Sequence, residues 1–174
     1  MMMTGKIKKS LLVFTLPLLL CFQGCAIQLT FDGASIPENV NTVSVQRFEN
    51  RAAYVNPVLS QTFTEGLKDR IVNGSRLTLA EGTGDVDFSG EITGYDTEPL
   101  AIQADAVSTE TRLTVRINVR YENFKDPEKS WDSSFSAYRD FPSEQNITAI
   151  EGELVDEIVE ELTENIFNKA FADW

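Results

Sequence analysis

The sequence predicts an α+β two-layer sandwich, a mixed or antiparallel sheet of about four strands with two helices packed on one face. Three observations lead there. The elements run strand, helix, several strands including a long hairpin, then a second helix. Each helical stretch is apolar along a single stripe, and the clearest strands are apolar on a single face, so helices and sheet can bury each other. With 174 residues and no internal repeat or break in composition, one domain is expected, over residues 42–174.

The first 24 residues read as an address. Lys6, Lys8 and Lys9 precede the apolar run Leu11–Leu20, the charged-then-apolar order of a secretory signal. Its 10 residues are about half of the roughly 20 that a spanning helix needs, so residues 1–24 are expected to be a removed signal peptide. The stretch Phe22-Gln23-Gly24-Cys25 resembles the lipobox of bacterial lipoproteins, in which a small residue precedes a cysteine that is acylated and becomes the new N-terminus. Phe22 and Gln23 stand where Leu and Ala or Ser are usual. Cys25 is the expected lipid anchor, its several acyl chains sufficing where one is marginal. Cys21, behind the bulky Leu20, is the poorer candidate. The alternative, an ordinary secreted protein, leaves a free thiol in an oxidising compartment. Ala26, with no acidic cluster after it, resembles the start of lipoproteins sorted to the periplasmic face of an outer membrane. Losing three lysines with residues 1–24 moves the net charge from −12 to −15.

Residues 25–41, punctuated by Gly33 and Pro37, are expected to be an acylated N-terminus and tether. Thr42 to Phe48 alternates as a first strand, with Val43 and Val45 on one side. Asn56-Pro57 offers an N-cap and a proline at the first helical position, and Leu59, Phe63, Leu67 and Ile71 follow at four-residue spacing, so a helix is predicted to end near Asn73-Gly74. Gly66 inside it implies close packing against a neighbour. Leu77 to Ala80 is a short strand. Val86, Phe88, Gly90, Ile92 and Gly94 alternate with Asp87, Ser89, Glu91, Thr93 and Tyr95, and the glycines imply a bend or a close approach. Residues 96–111 mix strand and loop character, an edge strand before a loop being one reading. Arg112 to Phe124 is the clearest strand, with Leu113, Val115, Ile117, Val119 and Tyr121 inward, and Trp131 to Tyr138 returns as its hairpin partner. Ser143 and Asn146 are candidate caps, and Thr148 with Glu151 matches a capping box. The last helix, about 148–171, carries Ile147, Ile150, Leu154, Ile158, Leu162, Ile166 and Phe171 on one side and glutamates opposite. It is roughly 36 Å long, enough to cross a four-stranded sheet.

Composition removes several classes of function. A net charge of −12 argues against general attraction to nucleic acid. With no histidine and only Cys21 and Cys25, neither a histidine-based triad nor a His- or Cys-ligated zinc can be assembled. Glutamates scattered along a helix do not make a calcium site, so no metal and no cofactor are expected. Glycine-rich phosphate loops and a GxSxG elbow are missing. The one basic feature with geometry is the row Arg112, Arg116 and Arg120 on the outward side of one strand, spaced about 13 Å apart. Guanidinium suits phosphate, so an anionic ligand such as a phosphorylated glycolipid can be met there. Cross-strand pairing with Asp87 and Glu91 on one side and Asp132 and Asp140 on the other is the alternative role.

Several stretches, in order over nearly the whole chain after Cys25, resemble the LptE family of lipopolysaccharide-assembly lipoproteins in a short acidic form. They are Thr42-Val43-Ser44-Val45-Gln46 with Phe48 and Asn50-Arg51; Asn56-Pro57 with Leu59 to Glu65; Gly90 to Tyr95 with Pro99 and Ala101-Ile102-Gln103; Arg112-Leu113-Thr114; and Ile166 to Ala170 with Trp174. The resemblance implies a non-catalytic lipoprotein that binds inside or against the barrel translocon LptD, assists its assembly and contacts lipopolysaccharide on its way to the outer leaflet. Placing the lipopolysaccharide contact on Arg112, Arg116 and Arg120 rests on strand geometry alone. Barrel contact is expected at the sheet edge and the segment holding Pro99, Ile102 and Gln103, since edges and loops offer unpaired groups. Two other classes stay open. An accessory lipoprotein of another outer-membrane machine, a pilot or assembly subunit, has the same general features, and an anchored periplasmic enzyme requires two neighbouring carboxylates with perturbed pKa in a cleft.

Overall fold

The computed structural model describes residues 36–54, 56–100 and 109–172, all within the unit Asp32–Trp174. In chain order they form β1 (Thr42–Val45), β2 (Glu49–Asn50), α1 (Leu59–Gly74), β3 (Thr78–Leu79), β4 (Val86–Leu100), β5 (Glu110–Asn123), β6 (Trp131–Pro142) and α2 (Ile147–Phe171). The result is an α+β fold with two helices and an open mixed sheet. That sheet has six strands rather than about four, in the order β3-β1-β4-β5-β6, with β2 paired to β4 beside that path. The two-residue β2 has no alternation that a sequence could display; it is held by parallel pairing of Glu49 and Asn50 with Glu91 and Ile92. β1 runs parallel to β3 and β4, while β4, β5 and β6 form an antiparallel meander.

The alternation read in β5 holds throughout: Leu113, Val115, Ile117, Val119 and Tyr121 are buried. In α1 the stripe Leu59, Phe63, Leu67 and Ile71 is fully buried. The helix begins two residues after Pro57, with Val58 as its N-cap and no side-chain cap bond, so the predicted cap and first-position proline fall two residues early; the Asn56 carboxamide oxygen instead accepts from the Val58 and Leu59 amides at 3.0 Å each. Asn56 is itself buried and its Nδ2 donates to Glu151 at 3.0 Å. Replacing it with Ala is expected to remove about 2 kcal/mol, since its bonds to the Val58 and Leu59 amides and to Glu151 are lost together at a buried position, as urea denaturation would show.

α2 buries Leu154, Ile158, Leu162, Ile166 and Phe171 of the expected stripe and Val155, Val159 and Phe167 besides, because it faces both the sheet and α1, while Ile147 and Ile150 in its first turn are only partly buried. A Cβ on Gly66 would stand 2.9 Å from Val159 Cγ1, so the glycine does mark the close approach anticipated there. Asn146 caps α2, accepting from the Thr148 amide at 3.0 Å. The capping box does not form, since Glu151 is engaged by Asn56 and by the Tyr95 hydroxyl, which donates at 2.5 Å. Among the described residues no helix is long and apolar enough to cross a membrane.

β4 departs from the reading most. Its register with β5 slips between Ile92, opposite Ile117, and Gly94, opposite Arg116, leaving Thr93 as the extra residue of a bulge. Because side chains alternate with period two, one extra residue inverts every position beyond it. Tyr95 consequently turns inward, where it is buried, stacks on Tyr54 with ring centroids 5.5 Å apart and meets Glu151. Burial, and then the bond to Glu151, raise its phenol well above the ordinary value, so it stays a donor. Beyond the bulge β4 continues to Leu100 opposite Glu110, through a stretch whose mixed pattern also suits a loop.

The start of the domain is fastened by Asp85. Its carboxylate accepts from the amides of Asn41 at 2.9 Å and Thr42 at 3.1 Å and pairs with Lys125 at 3.0 Å. The Asn41 amide bond and then Lys125 hold its pKa far below the usual carboxylate range. Such a group contributes stability above its unfolded value, about 4, and loses it as pH falls toward the depressed folded value. Asp85→Asn is expected to lower Tm at pH 7 and to flatten the decline of Tm below about pH 4, measured by thermal melts across pH.

Candidate functional surface

β5 places Arg112, Arg116 and Arg120 on the side of the sheet opposite its buried row, with side chains 34%, 53% and 61% exposed. All three pair with carboxylates from the flanking strands. Arg112 is bidentate to Asp140, its Nε at 2.7 Å and Nη2 at 2.8 Å, and its guanidinium lies 3.7 Å over the Tyr138 ring. This bond lowers the Asp140 pKa and raises that of Arg112. Arg116 pairs with Asp96 and lies against Gly94, where a Cβ would stand 2.7 Å from its Nε. Arg120 reaches Asp132 at 3.3 Å, beside a shallow hollow of about 350 Å³ lined by Ser89, Gly90, Glu91 and Asn118.

On the β6 side the partners are the two aspartates foreseen. On the β4 side they are not. Asp87 is buried and accepts from Ser44 and from Gln46 at 2.9 Å, and Glu91 lies 3.9 Å from Arg51. Asp96 takes the place expected of them because the Thr93 bulge moves it onto the outer side next to Arg116. Pro99 is exposed near the end of β4, opposite Thr111. Ile102 and Gln103 lie outside the described residues, as does Cys25.

Two further clusters had no signal in the sequence. Arg139, on the inner side of β6, donates to Glu157 at 2.7 Å and Glu161 at 2.6 Å, while Arg70 of α1 pairs with Glu164 and lies 4.0 Å over Phe167. The glutamates of α2 are thus partly engaged. At the hairpin end a cleft of about 240 Å³ is lined by Tyr121, Trp131, Phe171, Lys129 and Lys169. Burial pushes the Tyr121 phenol up to about 12, and Lys169 Nζ lies 5.3 Å over the Trp131 ring. Among the described residues no group of His, Cys, Asp and Glu could hold a metal ion.

The model of one protein family, LptE, described as lipopolysaccharide-assembly, matches residues 40–170. Among solved structures the chain is similar to a minor lipoprotein from Acinetobacter baumannii, with 12% identity and a TM-score of 0.50, covering 75% of this chain and 91% of that one. It is also similar to a hypothetical protein from Chlamydia trachomatis, with 11% identity and a TM-score of 0.53, covering 75% of this chain and 98% of that one. At these identities the likeness is one of fold. No curated protein matches the chain in sequence.

Proposed function

Since the chain belongs to the LptE lipopolysaccharide-assembly family, we propose that it is a lipoprotein anchored through Cys25 to the periplasmic face of an outer membrane, where it binds an LptD-type barrel and assists delivery of lipopolysaccharide. The observation that carries this reading is the extent of the family match, which takes in β1 through all but the last residue of α2. Its work is recognition and scaffolding.

In this reading the lipid phosphates meet Arg112, Arg116 and Arg120. A phosphate must displace Asp140, Asp96 and Asp132 from exposed ion pairs, an exchange of like partners that is cheap in water and sensitive to salt. The triple variant Arg112→Gln, Arg116→Gln, Arg120→Gln is expected to fold and to retain about tenfold less lipopolysaccharide, the equivalent of roughly one charge-assisted bond. Undiminished retention by the folded variant would remove the arginine row from the proposal.

The whole reading is tested by affinity capture of the tagged, lipidated protein from detergent-solubilised outer membrane, with mass spectrometry of the retained proteins and lipids. A large LptD-type barrel together with lipopolysaccharide is the expected result. Recovery of a different machine, or of nothing, would overturn it.

A further inference from the structure

Among the described residues β6 borders the sheet, and its register reveals which of its backbone groups β5 does not claim. The Ser143 amide donates to Thr109 O at 3.0 Å, and these two residues extend the β5–β6 register by one step. In an antiparallel ladder, opposed residues that exchange hydrogen bonds alternate with opposed residues that do not. Counting back from Ser143, the odd-numbered residues of β6 turn their N–H and C=O toward β5, while Asp132, Ser134, Ser136, Tyr138 and Asp140 turn theirs to the free border. The Tyr138 carbonyl agrees, accepting from Arg139 Nη1 at 2.8 Å on the side away from β5.

Natural proteins blunt a free strand with lysines, prolines, bulges or very short length. Arg139 and Pro142 do this at the far end of β6. From Trp131 to Ala137 nothing does: the seven residues pair with β5 without a slip, contain no proline or lysine, and carry one charge, Asp132. On their inner side Trp131 and Phe135 are only half-buried, although packed against the core.

We propose that Trp131–Ala137 is a strand-addition site, at which an extended segment of the partner barrel protein pairs with β6 as a further strand. This rests on the reading given under Proposed function. The added strand draws its affinity from main-chain bonds at Asp132, Ser134 and Ser136, and its specificity from apolar side chains at alternate positions that cover Trp131 and Phe135. Seven residues give about 23 Å of pairing. A second copy of this chain is the poorer occupant, because two bodies each of charge −15 after loss of residues 1–24 repel, whereas a neutral or basic segment does not.

The double variant Ser134→Pro, Ser136→Pro in the lipidated full-length protein tests this. Both positions turn their amides outward, so proline removes two border donors while the β5–β6 ladder keeps its bonds. Ser134→Ala controls for the bond from Ser134 Oγ to Asn118 at 2.6 Å. The folded double variant is expected to capture about tenfold less barrel, and the control as much as wild type. Undiminished capture by the folded double variant would overturn strand addition and leave the barrel partnership standing. Absence of the barrel from the wild-type capture would overturn both. Should the prolines prevent folding, a photocrosslinking residue at Ser136 reads the same border. An adduct mapping to an extended barrel segment supports the proposal; an adduct with a second copy, or none while the barrel is still captured, overturns it.

Discussion

Gly90→Ala is expected to lower stability by about 3 kcal/mol or more, and Tm by about 10 °C. Gly90 has a φ of +154°, a conformation that side chains rarely adopt. A Cβ there would lie 2.1 Å from Asn118 O and 2.7 Å from Phe48 Cε1. The first neighbour is the backbone of β5, and the second is a fully buried ring packed edge-on against Phe63 at 4.9 Å. Neither can step aside alone, since moving Asn118 disturbs a strand paired on both sides. Backbone strain and overpacking therefore add. Gly82, with nothing within 4 Å of an added Cβ, provides the contrast, and Gly82→Ala is expected to stay within about 0.5 kcal/mol of wild type. Paired urea titrations would measure both; equal midpoints for the two variants would contradict the placement of Gly90.

Cys25→Ser is expected to have the largest effect on where the protein resides. Each buried CH₂ of an acyl chain contributes about 0.8 kcal/mol to membrane binding, so two or more chains hold a protein in place, whereas the serine variant has none. Most of the variant should move from the membrane pellet to the soluble periplasmic fraction after cell fractionation, without change in Tm of the folded part. A variant that pellets with the membrane as fully as wild type would remove Cys25 as anchor. The cells producing it should also show whether capture of the barrel depends on the anchor or only on the folded surface.

How much of this was legible in the sequence depends on how local each signal was. The β5 strand, the α1 stripe and the Asn146 cap are written in spacings of two, three or four residues, and these appear as read, while the cap read at Asn56 falls two residues before the helix it was to open. The arginine row follows from the same alternation, and so do its β6 partners, which sit directly opposite Arg112 and Arg120. What escaped depends on backbone events with no residue signature. Thr93 and Gly94 look like any strand pair, yet the slip between Ile92 and Gly94 decides that Tyr95 is buried and that Asp96 meets Arg116. The buried joint of Asn56, Tyr95 and Glu151 brings together residues as far as 95 positions apart. Arg139 was visible as a strand residue, but its glutamate partners emerge only once α2 is laid along β6.

The Thr93 bulge also sets what kinds of sequence change this hairpin can absorb. Substitution at Thr93 leaves the phase of the strand unaltered, and so would its deletion, because Ile92 and Gly94 already face the consecutive residues Ile117 and Arg116 and the ladder would simply become regular. Straightening the strand with Thr93 retained, by contrast, would exchange the sides of every residue from Gly94 to Leu100, bringing the Asp96 carboxylate inward in place of the Tyr95 ring and freeing Arg116 of its partner. A homologue one residue shorter there would keep the same inward and outward positions with a regular strand, whereas one of the same length has to keep the bulge.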